Sequence, residues 1–304
     1  MPSVSNLEEA SAALAAAHAE GRRLRIGDDL TADGLDRILE HDPGDLTCTV
    51  ETGVRLSDLR ATLAAAGQRL SLDPPGDPTI GALLARNVSG PLRHRFGAPR
   101  DLVLGTTLVL ADGTVASAGG KVVKNVAGYD LARLVCGSEG RLAFVARASF
   151  RLHPLPKASR TVVVETDDPA TVVHALLRSQ LQPSALDVLH PGRVALLFEG
   201  SERAVSAQLD TARTLGGAAE TDTAVWDESR SRQDAASGRV RFAPGELRRV
   251  LEVLNDAVIR PAAGVAYTAE PASYNLLRGE SDGTGGRLVE RIARELDPRG
   301  VLAA

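Results

Sequence analysis

Polar and apolar residues alternate most regularly near the middle of the chain. From Phe144 to Leu152 the even positions, Phe144, Ala146, Ala148, Phe150 and Leu152, are apolar, and of those between them Arg147, Ser149 and Arg151 are polar. This period of two predicts a half-buried strand. The turn before it, Gly137-Ser138-Glu139-Gly140, has almost no side-chain bulk. Its backbone can come close to a flat ligand and offer N–H groups to it. Upstream, the pattern predicts an N-terminal amphipathic helix with Ser5 and Glu8 spaced as a capping box. A short strand over 23–27, a helix around 35–40 and a strand over 46–53, with Leu46, Cys48 and Val50 on one face, come next. Leu56, Leu59 and Leu63 recur at helical spacing before a stop at Gly67.

A strand over 68–73 runs into Pro74-Pro75-Gly76-Asp77-Pro78, too rich in proline for a regular element, and a short helix then extends from Thr79-Ile80-Gly81 to Arg86 or Asn87. A Pro/Gly loop feeding a helix N-terminus gathers unpaired N–H groups, the physics of an anion site, although a plain loop-to-helix junction has the same pattern. Residues 89–101 form an irregular basic loop with Arg93, Arg95 and Arg100, read either as solvated surface or as a phosphate contact. A hairpin over 102–110 and 114–117 turns at Ala111-Asp112-Gly113.

After His153-Pro154-Leu155-Pro156 the glycine-rich texture stops. The remainder reads strand (161–166), helix (168–180), strand (185–190), strand (194–199) and helix (201–215), most of a split β-α-β-β-α-β unit. A strand over 239–242, a helix over 244–257, strands over 264–268 and 274–278 and a helix over 287–296 complete it. A boundary near Pro156 gives two domains, 1–156 and 157–304.

Composition narrows the class. A chain of 304 residues is long enough for two cores, and 43% apolar with 24% charged residues describes a soluble globular protein. A net charge of -4 leaves no electrostatic footprint for nucleic acid. No apolar run reaches the ~18 residues of a membrane span, and the first residues lack the basic and apolar regions of a signal peptide, so cytoplasm is the expected compartment. Two cysteines, Cys48 and Cys136, cannot by themselves hold an iron–sulfur cluster or zinc and are expected to be buried small hydrophobes. There is no G-x-G-x-x-G after a predicted strand, no Walker loop, no H-E-x-x-H, no C-x-x-C and no G-x-S-x-G. Ser138 has no neighbouring His to act as its base, and His94, His153 and His190 are scattered. The residues alone support a ligand site built from small-residue loops in the first domain, with the ligand unnamed.

Three segments in order, PPGDPTIGALLARNVSG, RFGAPRDLVLGTTLVLADGTV and GGKVVKNVAGYDLARLVCGSEGRLAFVARASFRLHP, resemble the vanillyl-alcohol-oxidase type flavoproteins, FAD-linked oxidases with a PCMH-type domain. The run K-N-V-A-G-Y-D before GSEG is similar to the FAD-binding subunit of bacterial glycolate oxidase. The resemblance covers residues 42–156 strongly and the second domain more loosely. It implies an α+β fold: a PCMH-type FAD-binding domain of two α+β subdomains, then a ferredoxin-like α+β domain. It also implies hydride transfer from a small 2-hydroxy acid to FAD, with a second flavoprotein subunit and an iron–sulfur subunit as partners. By position, Pro75, Thr79, Ile80 and Gly81 match the loop that approaches the FAD pyrophosphate and ring, and Asn87 and Gly90 continue it. Gly97 and Asp101 match the small and acidic positions before the hairpin. Tyr129, Gly137, Ser138, Gly140 and Val145 match the segment beside the adenosine and isoalloxazine. No His stands in the early loop where relatives attach flavin, so FAD is expected to be noncovalent.

Two departures from the family are visible. Where it carries a glycine-rich phosphate loop, RLRIGDDLTADGLDRILE keeps Gly27 and places Asp28-Asp29 where the pyrophosphate would lie. Two carboxylates repel a diphosphate unless a cation such as Arg25, or the Arg93/Arg95 loop, compensates. The Asn-Pro-Gly that follows the Asp-Pro turn in the family is also absent after Asp297-Pro298. In the second domain Arg241, Tyr267 and Arg278 are polar candidates for the substrate side. The alternatives are a cofactor-poor structural subunit of such a complex and a free-standing FAD oxidase or dehydrogenase for another small alcohol or hydroxy acid.

Overall fold

Two antiparallel sheets organise the chain. A computed structural model describes residues 3–120, 130–214, 218–270 and 284–303, without the side chains of 284–289. The expected strand over 274–278, Tyr129 and Arg278 lie outside the described residues. The first part contributes β1 (Ile38–Asp42), β2 (Thr47–Glu51), β3 (Gln68–Arg69), β4 (Val103–Val109), β5 (Val115–Gly119), β6 (Phe144–Arg151) and β7 (His153–Pro154). Five of these form one sheet in the order β1-β2-β6-β4-β5, and β3 pairs with β7.

The alternating strand is the middle of that sheet. Phe144, Ala146, Ala148 and Phe150 of β6 are buried, and Val145, Arg147 and Ser149 turn toward the half-exposed face. Helices Leu56–Ala64 and Ile80–Arg86 press Leu56, Leu59, Leu63, Ile80, Leu83 and Leu84 into the core with β2 and β6. Helix Leu7–Glu20 packs Ala10, Leu14 and Ala17 with Val109, Phe144 and Ala146, and the chain returns at its far end to add Val301 and Leu302. Its capping box sits one residue later than the spacing of Ser5 and Glu8 predicts. The Asn6 side chain accepts from the Glu9 N–H at 2.8 Å, and the Glu9 carboxylate accepts from the Ser5 N–H at 2.8 Å.

Two upstream expectations change. Residues 35–40 do not form a helix, because Ile38–Asp42 pairs as an edge strand with β2 across a bulge between Ile38 and Glu40. Cross-strand hydrogen bonds override a segment whose apolar spacing is ambiguous. Residues 23–27 form isolated bridges, Leu24 to Leu302 and Ile26 to Leu30, because the chain turns back at Gly27.

The second part contributes β8 (Ala158–Glu165), β9 (Ala185–His190), β10 (Arg193–Gly200), β11 (Ala218–Thr221), β12 (Gly238–Arg241), β13 (Ala257–Arg260) and β14 (Val265–Thr268), in the order β11-β8-β10-β9-β13-β14-β12. The four strands β8 to β11, with helices Pro169–Arg178 and Glu202–Arg213, give the ferredoxin-like arrangement. β11, which closes it, carries no sequence signal. The helix expected over 244–257 stops at Val253, since Leu254 is extended and the buried Ala257–Arg260 joins the sheet.

Helix Ala224–Asp234, unmarked by apolar periodicity, covers the face opposite the other helices. Val225 and Trp226 pack with Ala185, Leu189 and Ala195, and Trp226 Nε1 donates to Thr161 Oγ1 at 2.9 Å. It also joins the two sheets. Gln233 Nε2 and Arg260 Nη1 both donate to the Ser89 carbonyl, at 3.0 and 3.2 Å, and Arg260 Nη2 donates to Gln233 Oε1 at 2.7 Å. Arg260, 1% exposed, is paired with Asp187, fully buried, at 3.3 Å, and Ser229 Oγ also donates to Asp187. A second tie is the bidentate Arg69–Glu199 pair at 2.7 and 2.6 Å.

At the same junction burial pushes the Asp73 carboxyl up to about 7, against the pull of Arg260, the Leu92 N–H and Arg230. The folded state therefore holds this proton more tightly than the unfolded chain. The associated stability is complete below the ordinary aspartate range and is lost as pH rises toward 7. The stability of the wild type relative to Asp73→Asn, followed by thermal unfolding from pH 4 to pH 8, is expected to fall across the range and level off above 7. A difference independent of pH would show that Asp73 is ionised throughout.

Candidate functional site

A cleft of about 510 Å³ opens on the first sheet between three walls. One is the turn around Ile26, Gly27 and Thr31; the second is Thr79 and the outward face of helix Ile80–Arg86; the third runs from Val135 through Ser138-Glu139-Gly140 to Val145. Helical periodicity places each residue of the second wall. Ile80, Leu83 and Leu84 are buried, leaving Gly81, Ala82, Ala85 and Arg86 for the cleft.

The glycines bring the walls together. A Cβ on Gly140 (φ 78°) would stand 2.6 Å from the Ile26 Cβ, one on Gly53 would stand 2.1 Å from the Ala32 carbonyl oxygen, and one on Gly81 3.2 Å from that of Thr52. Gly27 (φ 97°) is open, with nothing within 4 Å of where its Cβ would be.

The backbone donors of these walls are largely committed. In the first turn the N–H groups of Asp28, Asp29 and Leu30 donate to the Arg25 carbonyl, and that of Gly27 to Leu30. At the start of the helix those of Ile80, Gly81 and Leu83 donate to Val54, Thr52 and Thr79, and that of Ala82 to Thr79 Oγ1. In the third wall those of Gly137, Ser138 and Glu139 donate to Leu84, Val135 and Ala85. Most of the free N–H groups that the loop-to-helix junction and the Gly-Ser-Glu-Gly turn predict are therefore consumed, some locally and others by pairing with distant carbonyls. Asp28 and Asp29 are tied back as well. Both stand 3.8 Å from the Arg25 guanidinium, and Asp29 Oδ2 accepts from the Arg25 N–H.

Five of the expected residues, Thr79, Gly81, Ser138, Gly140 and Val145, line this cleft, whereas Gly137 is not in its lining and packs toward Asn87. The others stand elsewhere. Ile80 is in the core. Asn87 (φ 48°) caps the helix, and its Oδ1 accepts from the Arg100 N–H. Gly90 lies against Asp73, where a Cβ would meet the carbonyl oxygen at 1.7 Å. Gly97 packs on Asp101, whose carboxylate accepts from the Ala98 N–H. Arg86, Ile26 and Thr52 are lining residues that the motif reading passed over; Arg86 was legible from the small-residue face of its helix.

Pro75 belongs to a second cleft, of about 270 Å³, between the first sheet's loops and the second sheet, with Val88, Gln233, Arg239 and Tyr267. Arg239 lies opposite Tyr267 in the register and Arg241 opposite Val265, so these side chains share one face. The Arg239 guanidinium lies 5.8 Å from the Tyr267 ring centre and that of Arg260 5.1 Å. Burial lowers the Arg93 guanidinium; Tyr267 opposes this, and the positive charges of Arg239 and Arg241 add to it. Among the described residues no ion pair engages Arg93, Arg239 or Arg241.

Among the described residues the other titratable groups have no nucleophilic or metal-binding arrangement. Burial raises Cys48 and Cys136 to about 12, keeping both as thiols. Burial, with Arg151, Arg69 and Arg95, lowers His153 to about 4. Among the described residues no group of three His, Cys, Asp or Glu is placed to hold a metal, and no helix is long and apolar enough to cross a membrane.

A sequence profile described as an FAD binding domain matches residues 28–119, which include the Pro75–Gly81 loop, the helix behind it and part of the first wall. The chain resembles an FAD-binding domain over those residues. It is 34% identical over 218 residues to glycolate oxidase subunit GlcE of Escherichia coli (strain K12), covering 68% of this chain and 61% of that protein. It is 36% identical over 160 residues to glycolate oxidase subunit GlcD of Bacillus subtilis (strain 168), covering 51% and 34%. It is 32% identical over 179 residues to the mitochondrial D-lactate dehydrogenase [cytochrome] 1 of Saccharomyces cerevisiae, covering 57% and 30%. The chain thus spans less than two thirds of the length of each. Among solved structures, alkyldihydroxyacetonephosphate synthase superposes with a TM-score of 0.72 at 15% identity, over 99% of this chain and 74% of that one. The α+β FAD-binding fold implied by the sequence motifs is the fold observed.

The cleft of this domain suits an elongated cofactor with rings at its ends and charge between them. Ile26, Ala82, Ala85, Val135 and Val145 supply apolar surface, Thr79 and Ser138 supply hydroxyls, Arg86 supplies a cation, the lining carboxylates Asp33 and Glu139 are engaged by Thr31 and Arg141, and the open side of Gly27 admits close approach. Gly140→Ala tests the glycine contact between walls. Positive φ alone costs about 1–2 kcal/mol, and the 2.6 Å clash adds to it. In urea unfolding Gly140→Ala should be less stable than Gly76→Ala, whose φ is 65° with open space around it. Equal losses would show that the Ile26 contact relaxes freely.

Proposed function

We propose that the chain is the FAD-binding component of a glycolate-oxidase-type oxidoreductase acting on a small 2-hydroxy acid, with FAD held noncovalently. The observation that carries this reading is a set of three arginines: Arg239 lines the cleft that Pro75 shares with Tyr267, Arg241 follows on the same strand face, and Arg93 is near enough to feel both charges and Tyr267. Guanidinium groups without acidic partners beside a flavin-binding loop suit a substrate bearing a carboxylate. When bound, FAD supplies the hydride acceptor. The chain's own part is to hold the substrate carboxylate on the arginines, orient C2 toward the first sheet, and narrow water access with the Tyr267 ring. No His, Cys or Tyr lines the larger cleft among the described residues, which supports noncovalent attachment.

Residues 1–156 would hold the cofactor and 157–304 the substrate side. Similarity to two glycolate oxidase subunits supports a place within a complex, with a second flavoprotein subunit and an iron–sulfur subunit. Such an assembly would sit in the cytoplasm, peripheral to the inner membrane through its partners. A cofactor-poor structural subunit is the second reading, favoured by the commitment of the N–H groups in the Arg25–Leu30 turn.

The purified chain is expected to be yellow, with flavin absorbance near ~450 nm that bleaches anaerobically on addition of glycolate or D-lactate. A colourless protein that takes up no FAD on titration would leave the structural-subunit reading. Arg241→Gln should raise KM about tenfold or more with a smaller change in kcat, as expected when a charge-assisted contact made in ground and transition states is lost. An unchanged KM would remove the carboxylate assignment.

A further inference from the structure

A dinucleotide carries two negative charges at its diphosphate, and they need donors or cations. In this cleft most of the usual backbone supply is closed. The N–H groups of Gly27 to Leu30, Ile80 to Leu83 and Gly137 to Glu139 are satisfied within the protein, and of the two carboxylates that line the cleft Asp33 accepts from the Thr31 hydroxyl and Glu139 stands 3.7 Å from the Arg141 guanidinium. Among the described residues lining the cleft, Arg86 is the cation. It is exposed, lies on the same helix face as Gly81, Ala82 and Ala85, and has no ion pair among the described residues. Two hydroxyls share the cleft with it. Thr79 Oγ1 accepts from the Ala82 N–H and keeps its own proton to donate, and Ser138 lies on the facing wall.

We infer that Arg86, assisted by the Thr79 and Ser138 hydroxyls, is the diphosphate-binding element of this cleft, so that side chains hold the phosphates where most of the backbone cradle is closed. The inference rests on the FAD reading above and concerns how the cofactor is held. It has two consequences. A solvent-exposed guanidinium–phosphate contact weakens as salt rises, so FAD binding is sensitive to ionic strength and FAD exchanges readily. Binding of a flavin without phosphates does not depend on Arg86.

The experiment is a titration of the full-length apoprotein with FAD and, in parallel, with riboflavin, following flavin fluorescence for wild type, Arg86→Gln and Arg86→Lys. Loss of a charge-assisted contact should weaken FAD about tenfold or more in Arg86→Gln and leave riboflavin unchanged, with Arg86→Lys retaining most of the affinity. Raising salt from about 50 to about 500 mM should weaken FAD binding to wild type more than to Arg86→Gln. Thermal melts of the apoproteins control for folding, since an ordinary role at the helix C-terminus would move the melting temperature and leave the Kd alone. Equal FAD affinity in wild type and Arg86→Gln, or equal losses for FAD and riboflavin, overturns the inference. A wild type that binds riboflavin but shows no preference for FAD also overturns it. A wild type that binds neither flavin overturns the flavoprotein reading itself, and this inference with it.

Discussion

The cleft exists because loops approach one another backbone to backbone. Gly53 meets Ala32 and Gly140 meets Ile26 at separations that no Cβ would tolerate, and Gly81 meets Thr52 at one that a Cβ would crowd. The same closeness lets the N–H groups of one wall reach the carbonyls of the next: Gly81 to Thr52, Ile80 to Val54, Gly137 to Leu84, Glu139 to Ala85. Rigidity and donor supply are therefore opposed here. A wall pinned by its own amides holds its shape without a ligand, but it has few amides left to give one. The polar contribution of the site then falls to side chains.

The junction between the sheets obeys a related constraint. Arg260 and Asp187 are both removed from water, a placement that is tolerable only when the remaining donors and acceptors are matched. Gln233, Ser229 and the Ser89 carbonyl provide that matching, and two of these partners come from helix Ala224–Asp234. The helix is consequently fixed on both sides, and so are the second cleft and its arginine-bearing face. Arg260 is spent on the lock; Arg93, Arg239 and Arg241 are not.

These two constraints explain what could be read in advance. The strand β6, the Asp-Gly hairpin and helix Leu56–Ala64 bury one apolar face each, so simple periodicity finds them. Helix Ala224–Asp234 buries Val225, Trp226, Ser229 and Gln233. Half of its inner face is polar because it serves the lock, and a search for apolar repeats passes over it. β13 carries Arg260 for the same reason, and β1 reads as a helix because an edge strand takes its pairing from β2. In the site, the Gly-Ser-Glu-Gly turn was legible as a place of close approach. What it approaches was not, since that depends on carbonyls as distant in sequence as Leu84 and Ala85.

The short Pro75–Gly81 segment joins these two regions. Its first residue faces the second sheet, while Thr79 and Gly81 face the larger cleft, so one loop borders both. Packing fixes it from either end, with Ile80 in the core and Asp73 against Gly90 and Arg230. A rigid segment shared in this way couples the geometry of the two clefts without any moving part. The two clefts are set at a separation fixed by the backbone from Pro75 to Gly81. A scaffold of this kind establishes orientation before any two bound groups meet.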